Sequence, residues 1–559
     1  MATGSNRTEP RTKPLAYGYA TRFLLRLAVH FDAVCAEPRA YFLAVWWRIC
    51  GKRLRARSIM APLVGQSRWA YRLWLAQGGD SEAVGLPKAD ADILLIALVE
   101  AGEAQEETLA RLAAEGIPAR LVAAGTAPNG HDILQERDAK AWVLPIAAGD
   151  ILAAGAGAVY RAAVQAAGAD ICSFYADDDL IDARGQRAKP HFKPDWNAEL
   201  YRHFDYVARS AILAAALSDL DNLPAKNWAA VLTARVIERG VGTSSPPVHL
   251  RRILHHRRTR PAPRLPIVIE EGRGDLPSIS IIVPTRNGLA LLRTCLDGLA
   301  RTTYPGPREI VVIDNGSDDP ATQEFLAKID PGFARVIPHP GPFNFAAMNN
   351  RAVAETTGDL ICFLNNDIEI RDSGWLPVLA RHALREDVGA VGARLLYPDG
   401  RIQHAGVVLG VGGGAAHAHR LLQPDDEGYF HRHSLPQFVS AVTAACLVVE
   451  RRKFLAVGGF DAANFAVAFN DVDLCLKLNA RGWQALYEPR ATLIHHESAS
   501  RGTDRDYAGA ARLAGELAAL KQRWGTAVSE GNILKRAKAV DPFHHPSLSP
   551  FSERFVVSI

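Results

Sequence analysis

Hydrophobic residues in the second half of the chain form short β-branched runs that alternate with stretches of helical periodicity. The runs are SISIIVP, REIVVID and GDLICFL, and each stops at turn residues; LALLRTCLDGLA and ATQEFLAKI lie between them. This order predicts strand, helix, strand, helix, strand. Strands that alternate with helices form parallel sheets with right-handed crossovers. We therefore expect an α/β fold with a doubly wound, mostly parallel sheet and flanking helices.

The first half follows the same order in a weaker form. ADILLIALVEAG, AQEETLARLAAEGI and PARLVAAG predict strand, helix and strand, and AWVLPIAAGDIL and ADICSFYADDDLID predict two further strands. This repetition suggests duplication of one fold, with polar groups lost from the first copy. Of its early strand ends, only the one at Asp150 keeps an acid. The acidic run YADDDLID favours a strand that passes into a solvated turn over a metal site, because aspartate is common in turns.

A basic, proline-containing stretch, HLRRILHHRRTRPAPRLP, separates the two halves and predicts an extended linker. A chain of 559 residues is also too long for one ordinary core. The expected organisation is a helical, basic and aromatic region at 1–80, a degenerate α/β domain at 81–255, a linker at 256–276, a second α/β domain at 277–505, and C-terminal helices and tail at 506–559.

The composition, with 48% hydrophobic and 22% charged residues and a net charge of +4, is typical of a globular protein without a nucleic-acid partner. No apolar run is long enough to cross a bilayer. The seven cysteines form no CxxC pair, which favours a reducing compartment. The start, MATGSNRTEPRTKP, lacks the apolar core of a secretory signal. These features predict a cytoplasmic protein.

Positive charge is concentrated directly after the pair Trp46 and Trp47, in the segment RICGKRLRAR. Aromatic and basic residues together suit the headgroup layer of an anionic membrane. The same pattern fits a solvated helix face whose tryptophans pack on the next domain. Both interpretations stay open, so a membrane surface is one candidate partner.

Polar residues follow the strands of the second half. They are residues 285–287 (TRN), 314–319 (DNGSDD) and 365–367 (NND). Ligands of such sheets bind beyond the carboxyl ends of the strands, so these groups should converge in one crevice. Asp314 ends a buried strand, where a nucleobase N–H would satisfy its carboxylate. Alone, NND is more often a turn than a site, but this convergence favours a functional role.

The chemistry of the NND segment suits a divalent cation. In an extended backbone Asn365 and Asp367 point to one face and Asn366 to the other. Mg²⁺ usually takes one or two carboxylates, with phosphate oxygens and water as its other ligands. We therefore predict Mg²⁺ or Mn²⁺ shared with a diphosphate. In LIHHESASRG, His495 and His496 end a strand, and alternation lets only one of them face inward to complete the ion's ligands.

The segment FNDVDLCLKLNARGW predicts a helix with Asn470 as its N-cap and two acids in its first turn. Capping alone would account for Asp471 and Asp473, because a helix N-terminus favours anions. The functional interpretation is that Asp471 faces the crevice as a general base, while Asp473 stabilises its own helix.

Several ordered motifs of the second half together resemble the family 2 glycosyltransferases, inverting enzymes of the GT-A fold that use nucleotide-sugar donors. The motifs are SISIIVPTRNG, VVIDNGSDD, PFNFAAMNNRAV, FLNND, VSAVTAACLVV, GGFD, FNDVDLCLK and IHHESASRG. They look closest to the bacterial branch that makes O-antigen and related surface polysaccharides, whose ending the tail DPFHHPSLS also resembles. RWAYRLWLAQ, YADDDLIDARGQR and HFKPDWNAEL resemble degraded segments of the same family, which implies a scaffold or acceptor-handling role for the first half.

The resemblance implies a role for each candidate residue. The nucleotide side comprises Pro284, Thr285, Asn287 and Asp314; Asn350 lies near the donor diphosphate; Asn365, Asn366 and Asp367 form the metal-binding DxD region; Asp471 is the catalytic base; and His495, or alternatively His496, is the additional metal or phosphate ligand. The family commonly has an acid at the positions of Asn365 and Asn470, which predicts weaker metal binding here.

The resemblance also implies a reaction. The expected enzyme moves a sugar from a UDP-, dTDP- or GDP-linked donor to a glycan or lipid-linked glycan, in surface polysaccharide synthesis at the inner face of the bacterial cytoplasmic membrane. The alternative is an inactive glycosyltransferase-like scaffold module. A nucleotidyltransferase would require a glycine-rich phosphate loop with a lysine, and the segment TRNGLALL lacks both. Nicotinamide binding would require a glycine-rich motif that opens a helix after the first strand, and the glycine-rich segment GVGGGAAHAH does not do so.

Overall fold

The computed structural model describes residues 18–79, 93–130, 141–168, 170–263, 275–429, 431–496, 507–525 and 541–549. Its helices are α1 (Tyr19–Ala36), α2 (Pro38–Ile49), α3 (Arg53–Gly65), α4 (Ala70–Ala76), α5 (Gln105–Ala114), α6 (Ala156–Ala166), α7 (Ala198–His203), α8 (Leu217–Leu220), α9 (Trp228–Gly242), α10 (Leu289–Arg301), α11 (Pro320–Ala327), α12 (Phe345–Ala354), α13 (Trp375–Ala383), α14 (Arg451–Ala456), α15 (Asn470–Ala480) and α16 (Tyr507–Trp524).

Two larger sheets and one hairpin contain the strands. The first sheet uses β1 (Leu95–Glu100), β2 (Ala119–Val122), β3 (Trp142–Ala147), β4 (Ile151–Leu152), β5 (Ser173–Ile181), β6 (Arg187–His191), β7 (Ala211–Leu213) and β8 (Val248–Arg257). The second uses β9 (Ile279–Thr285), β10 (Arg308–Asp314), β11 (Arg335–Pro338), β12 (Leu360–Leu364), β13 (Ile368–Glu369), β14 (Val388–Leu396), β15 (Ile402–His404), β18 (Gln437–Val439), β19 (Cys446–Glu450) and β20 (Gln484–His495). The hairpin pairs β16 (Val407–Leu409) with β17 (Ala415–His417).

The second sheet has the order β11-β10-β9-β12-β19-β14-β20-β13. Strands β11 to β12 are parallel, as are β14 and β20, whereas β19 and β13 are antiparallel to their neighbours. On β9, Ile281 and Val283 join one hydrophobic core and Ile282 joins the core on the opposite face. Burial of both faces explains why this strand is a continuous apolar run.

The first sheet repeats the second strand for strand. Its order β2-β1-β3-β7-β5-β8-β4 corresponds to β10-β9-β12-β19-β14-β20-β13, with the same parallel and antiparallel pairings. Each sheet also has a side strand, β6 on β5 and β15 on β14. The second sheet adds β11 and β18. The predicted α/β class is confirmed for both halves, and in both the sheet is mixed.

The linker prediction is wrong for the residues before 258. The stretch that includes HLRRILHHR forms β8, which pairs with β5 and β4 inside the first sheet. Its basic residues are tolerated there because acids lie opposite them; Arg257, for example, is buried near Asp178 and Asp150. The later part of the predicted linker, residues 264–274, lies outside the described residues.

The acidic run YADDDLID is not a solvated turn. Asp177, Asp178 and Asp179 lie within β5 and are fully buried. Asp178 accepts from Arg260 Nε at 2.6 Å, and its other oxygen lies 2.9 Å from Lys193 Nζ in an ion pair. Burial raises the pKa of Asp178, but the charges of Lys193, His191 and Arg260 outweigh it and hold that pKa well below its usual value. Protein cations therefore neutralise this cluster.

Replacement of Asp178 by asparagine should destabilise the first half by about 3 kcal/mol or more, because it leaves the buried Lys193 and the partly buried Arg260 without their counter-charge. The measurement is the urea midpoint of the first unfolding transition. Asp170→Ala, at an exposed aspartate of the same half, is the control and should change stability by no more than about 0.5 kcal/mol. An unchanged midpoint in Asp178→Asn would contradict this account of the cluster.

The C-terminal segment 541–549 joins the two halves. Phe543 packs in a core of the second half and Leu548 in a core of the first. His545 Nε2 lies 3.1 Å from an oxygen of Asp177, and the carbonyl of Pro542 accepts from Asp195 N at 2.8 Å. The halves thus share a packed boundary that the tail crosses.

Candidate active site

The candidate site begins at the turn that follows β12. Asn365 O accepts from Ile368 N at 3.3 Å, so residues 365–368 form a tight turn and not the extended backbone expected from the sequence. The turn nevertheless directs Asn365 and Asp367 toward the same imidazole, that of His495. Asn366 points elsewhere and donates to Thr285 Oγ1 at 2.9 Å.

Asp367 and His495 meet at the edge of the second sheet. Asp367 Oδ1 lies 3.1 Å from His495 Nε2, and Asn365 Nδ2 lies 3.5 Å from the same nitrogen. Antiparallel pairing of β13 with β20 sets this geometry, because it places Ile368, the residue after Asp367, opposite His495. Both Asp367 and His495 are buried. His496 lies on the other side, where its Nε2 is 3.0 Å from Glu369.

Gln403 on β15 orients the imidazole of His495. Its two amide atoms lie 2.8 and 3.0 Å from His495 Nδ1. With Nδ1 engaged by Gln403, the remaining ring nitrogen faces Asp367, as in metal-binding histidines whose other ring nitrogen is held by a hydrogen bond. Sequence analysis missed Gln403, which lies 92 residues from its partner along the chain and follows no motif that we recognised.

Asp471 reaches the same region from the first turn of α15. Its Oδ2 accepts from Ala444 N at 3.2 Å, and the next residue, Ala445, accepts from Asn365 N at 3.0 Å. Asp471 therefore binds Ala444, and the adjacent residue Ala445 binds the NND turn. It is half-buried, and the helix N-terminus favours a carboxylate there.

The start of α15 differs from the expectation. The residue before the helix is Phe469, with a φ of 59°, and Asn470 is the first helical residue and not the N-cap. Asn470 Nδ2 donates to Val467 O at 2.8 Å, a bond that an aspartate could not make.

Asp473 is bound by the C-terminal helix as well as by its own. It accepts from Arg523 at 2.9 Å and from Trp524 Nε1 at 3.0 Å, both on α16, and lies 3.3 Å from Lys477 Nζ. Its contacts are those of a residue that anchors α16 against α15.

The predicted nucleotide side is a pair of cross-linked loops after β9 and β10. Asn287, with a φ of 54°, donates to Asp318 and accepts from the backbone N–H groups of Asp318 and Asp319. Asp314 accepts from the Ser317 hydroxyl at 2.6 Å and from its N–H. Thr285 and Asp314 also lie side by side in the sheet, next to Pro284 and Ile313. These residues form one polar edge.

Asn350 on α12 forms hydrogen bonds to another loop through both atoms of its side-chain amide. It donates to Phe460 O at 2.8 Å and accepts from Phe460 N at 3.0 Å. These bonds hold the GGFD turn. A contact between Asn350 and a donor diphosphate remains a prediction.

The chain's residues fit a divalent cation with two protein ligands. Among the described residues, no group of three or more His, Cys, Asp or Glu side chains is arranged to hold a metal ion. Asp367 and His495 instead supply one carboxylate and one oriented imidazole within 3.1 Å of each other. That set suits Mg²⁺ or Mn²⁺ when phosphate oxygens and water complete the coordination.

The first sheet contains a position that corresponds to the pair Asp367 and His495 of the second sheet. Ile151 pairs with His256 as Ile368 pairs with His495, so Asp150 and His256 are the counterparts of Asp367 and His495. Asp150 accepts from Arg258 N at 2.7 Å, and His256 Nδ1 lies 2.6 Å from Asp179. Burial raises the pKa of Asp150 to about 6. Carboxylate and imidazole are thus each engaged by another protein group.

Comparison with known proteins identifies a family model within the second half. Residues 280–410 match the model described as Glycosyl transferase family 2. This range includes β9 to β12, the NND turn and Gln403. It ends before Asp471 and His495.

Three relatives illustrate the similarity. The chain is 36% identical over 428 residues to an uncharacterized protein of Sinorhizobium fredii, covering 69% of this chain and 46% of that protein. It is 35% identical over 376 residues to the O-antigen biosynthesis protein RfbC of Myxococcus xanthus, covering 60% and 29%. It is 26% identical over 219 residues to an N-acetylglucosaminyl-diphospho-decaprenol L-rhamnosyltransferase of Mycobacterium tuberculosis, covering 35% and 69%. The chain spans less than half the length of the first two.

Proposed function

Because residues 280–410 match the family model of the family 2 glycosyltransferases, we propose that this chain is an inverting glycosyltransferase. It transfers a sugar from a nucleoside-diphosphate donor to a hydroxyl of a glycan acceptor in the synthesis of an O-antigen-like surface polysaccharide. The observation that carries the proposal is the meeting of Asp367 and His495 at the carboxyl edge of the second sheet, 3.1 Å apart.

Each part of the edge has a role in this proposal. The loops at Thr285, Asn287 and Asp314 bind the nucleoside, since they offer amide, hydroxyl and carboxylate groups to a base and ribose. Asn350, Asn365 and Asn366 lie on the diphosphate side. Asp367 and His495 would hold Mg²⁺ or Mn²⁺. When bound, such an ion supplies Lewis-acid stabilisation of the leaving diphosphate.

The reaction itself is a single displacement at the anomeric carbon. Asp471 accepts the proton of the acceptor hydroxyl, and the resulting oxygen nucleophile attacks the face opposite the nucleotide. The new C–O bond forms as the bond to the diphosphate oxygen breaks. One displacement inverts the anomeric configuration. The half-exposed position of Asp471 suits a base that must meet an incoming acceptor.

Replacing Gln403 by leucine should raise the Mn²⁺ concentration for half-maximal activity by about tenfold to a hundredfold, since a hydrogen-bond partner of a metal-binding histidine contributes that much to metal affinity. Loss of the amide frees the His495 ring to rotate or change tautomer. Donor hydrolysis titrated with Mn²⁺ provides the measurement. Gln437→Leu, at another buried glutamine, whose Nε2 donates to Arg432 O, is the control. Equal shifts in the two variants would mean that Gln403 has only a packing role.

The first half, residues 81–255, is proposed as a degenerate GT-A-like domain that supports the catalytic domain at 277–505 or handles the acceptor. Its counterparts of Asp367 and His495 are engaged by Arg258 N and Asp179. No carboxylate stands at the start of α9, the counterpart of α15, which begins with Trp228 and Ala229. The first half therefore lacks a general base at this position.

The acceptor is proposed to be a lipid-linked glycan, so that the enzyme acts as a peripheral protein on the inner face of the cytoplasmic membrane. The Mycobacterium tuberculosis relative has a name that describes a decaprenol-linked acceptor. The Myxococcus xanthus relative is named for O-antigen biosynthesis. Both names describe glycan assembly.

Thermal shift with UDP-, dTDP- and GDP-sugars, each with Mg²⁺ or Mn²⁺, tests the proposal first. A true donor should raise the unfolding midpoint in proportion to the logarithm of its concentration over its dissociation constant. Proton NMR of the linkage formed from that donor should then show inverted anomeric configuration. Retained configuration contradicts the mechanism. Absence of ion-dependent nucleotide release from every donor would favour an inactive scaffold module.

A further inference from the structure

Exposed apolar side chains are concentrated on the first two helices. Of the seventeen large apolar side chains that are strongly exposed in the described chain, nine lie on α1 and α2. They are Tyr19, Phe23, Leu24, Leu27, Phe31, Phe42, Leu43, Trp46 and Ile49, with exposed fractions from 46% to 88%. Scattered single apolar residues are normal on protein surfaces, whereas a continuous group marks an interaction surface.

On each helix these residues form one face. In α1 they fall at positions 19, 23, 24, 27 and 31, and in α2 at 42, 43, 46 and 49, spacings that keep side chains on one side of a helix. The opposite side of α1 is already used: Val29 and Ala33 pack with Leu63, Val64 and Leu73 of α3 and α4. The outward faces are thus additional to the packed ones.

Helices α1 to α4 are attached to the first half by side-chain contacts, so the outward faces of α1 and α2 have a fixed position on it. Tyr71 of α4 donates to the buried Asp179 at 2.6 Å, and its ring joins a core of the first half. Ser67 donates to Asp32 of α1 at 2.7 Å. None of the helices within the described residues is long and apolar enough to cross a bilayer.

The charge of this region favours one kind of partner. Residues 18–65 contain eight Lys and Arg but two Asp and Glu, a net charge of +6, whereas the whole chain has +4. Lys52 and Arg55 lie over the ring of Trp47 at 4.5 and 5.4 Å, beside the exposed Trp46. The preceding residues, 1–17, add three bases and one acid. Apolar faces bordered by Lys and Arg are the signature of helices that lie in the surface of an anionic membrane.

We propose that the outward faces of α1 and α2 insert into the headgroup layer of an anionic lipid membrane and hold the enzyme there. Their apolar side chains enter the acyl boundary, and the surrounding arginines and lysines bind lipid phosphates. This inference deepens the proposed function, since it names the surface on which a lipid-linked acceptor would be met. Vesicle binding itself requires neither donor nor acceptor.

The test is flotation of the whole 559-residue chain with vesicles of phosphatidylcholine alone or mixed with phosphatidylglycerol. The wild-type protein should float with the mixed vesicles, much less with neutral ones, and less as salt is raised. Phe42→Ser combined with Trp46→Ser should lower partitioning by about tenfold or more, because two inserted side chains are lost. Arg22→Glu combined with Arg48→Glu should remove the preference for the anionic lipid.

The matched control is Leu455→Ser, at an exposed leucine of α14 with the same 58% exposure as Trp46; it should float as the wild type does. Thermal unfolding of all variants should be unchanged, since the altered side chains are exposed. Lack of flotation with mixed vesicles overturns the inference, as does a concentration-dependent dimer that Phe42→Ser with Trp46→Ser dissociates. Donor hydrolysis measured without vesicles reports separately on the catalytic proposal.

Discussion

An Asp367→Ala enzyme is expected to lose sugar transfer altogether, to below the detection limit of a coupled nucleotide-release assay. Asp367 is the only carboxylate among the described residues that faces His495 at the candidate site. Without it a cation would have a single protein ligand, and the leaving diphosphate would lose stabilisation of several kcal/mol, or about a thousandfold or more in rate. The rate should be measured with saturating Mn²⁺ and donor.

Asp150→Ala is the matched control for this variant. Asp150 occupies the corresponding position of the first sheet, where it accepts from Arg258 N. Its removal should leave the transfer rate per folded molecule unchanged, although it will lower stability because the N–H of Arg258 loses its acceptor. Residual transfer in Asp367→Ala that disappears when Asp150 is also replaced would mean that the first half has an active site of its own.

Asp471→Asn should lower the transfer rate by about a hundredfold to ten-thousandfold, the usual contribution of a general base. Asparagine keeps the shape of the side chain and can still accept from Ala444 N, so the turn should be preserved. Donor binding should be nearly intact, because the proposed role of Asp471 concerns the acceptor. Single-turnover transfer and the donor-induced thermal shift, measured on the same protein, separate these two effects.

Asp473→Asn, two residues along the same helix, provides the contrast. Asp473 binds Arg523 and Trp524 of α16, so its replacement should lower the unfolding midpoint and leave transfer by the folded enzyme close to the wild-type rate. A fully active Asp471→Asn enzyme would remove Asp471 from the mechanism. Equal losses of transfer in the two variants would indicate a general disturbance of α15.

Local sequence determined the type and order of the elements. Strands such as β9 and helices such as α10 follow from hydrophobic period and turn residues, which depend on neighbouring residues only. The motifs of the second half resemble family 2 glycosyltransferases, and the match of residues 280–410 confirms that resemblance. The predicted α/β fold, with flanking helices and a second sheet-bearing part before it, is confirmed as well, although both sheets are mixed and not mostly parallel.

Tertiary structure decided which polar side chains meet. Alternation along β20 allowed either His495 or His496 to face inward, and only the pairing of β20 with β13 places His495 beside Asp367. Gln403 could not be found from sequence because its partner is distant along the chain.

The acidic run of β5 and the basic run of β8 show that tertiary contacts also decided which charged residues are buried. Taken singly, each predicts a solvated turn or a linker, because isolated charges are costly to bury. In the folded sheet, a guanidinium nitrogen of Arg257 lies 3.6 Å from a carboxylate oxygen of Asp178, and both residues are buried. A charge can enter a core when its partner arrives from another segment, and sequence periodicity, which is local, contains no information about that partner.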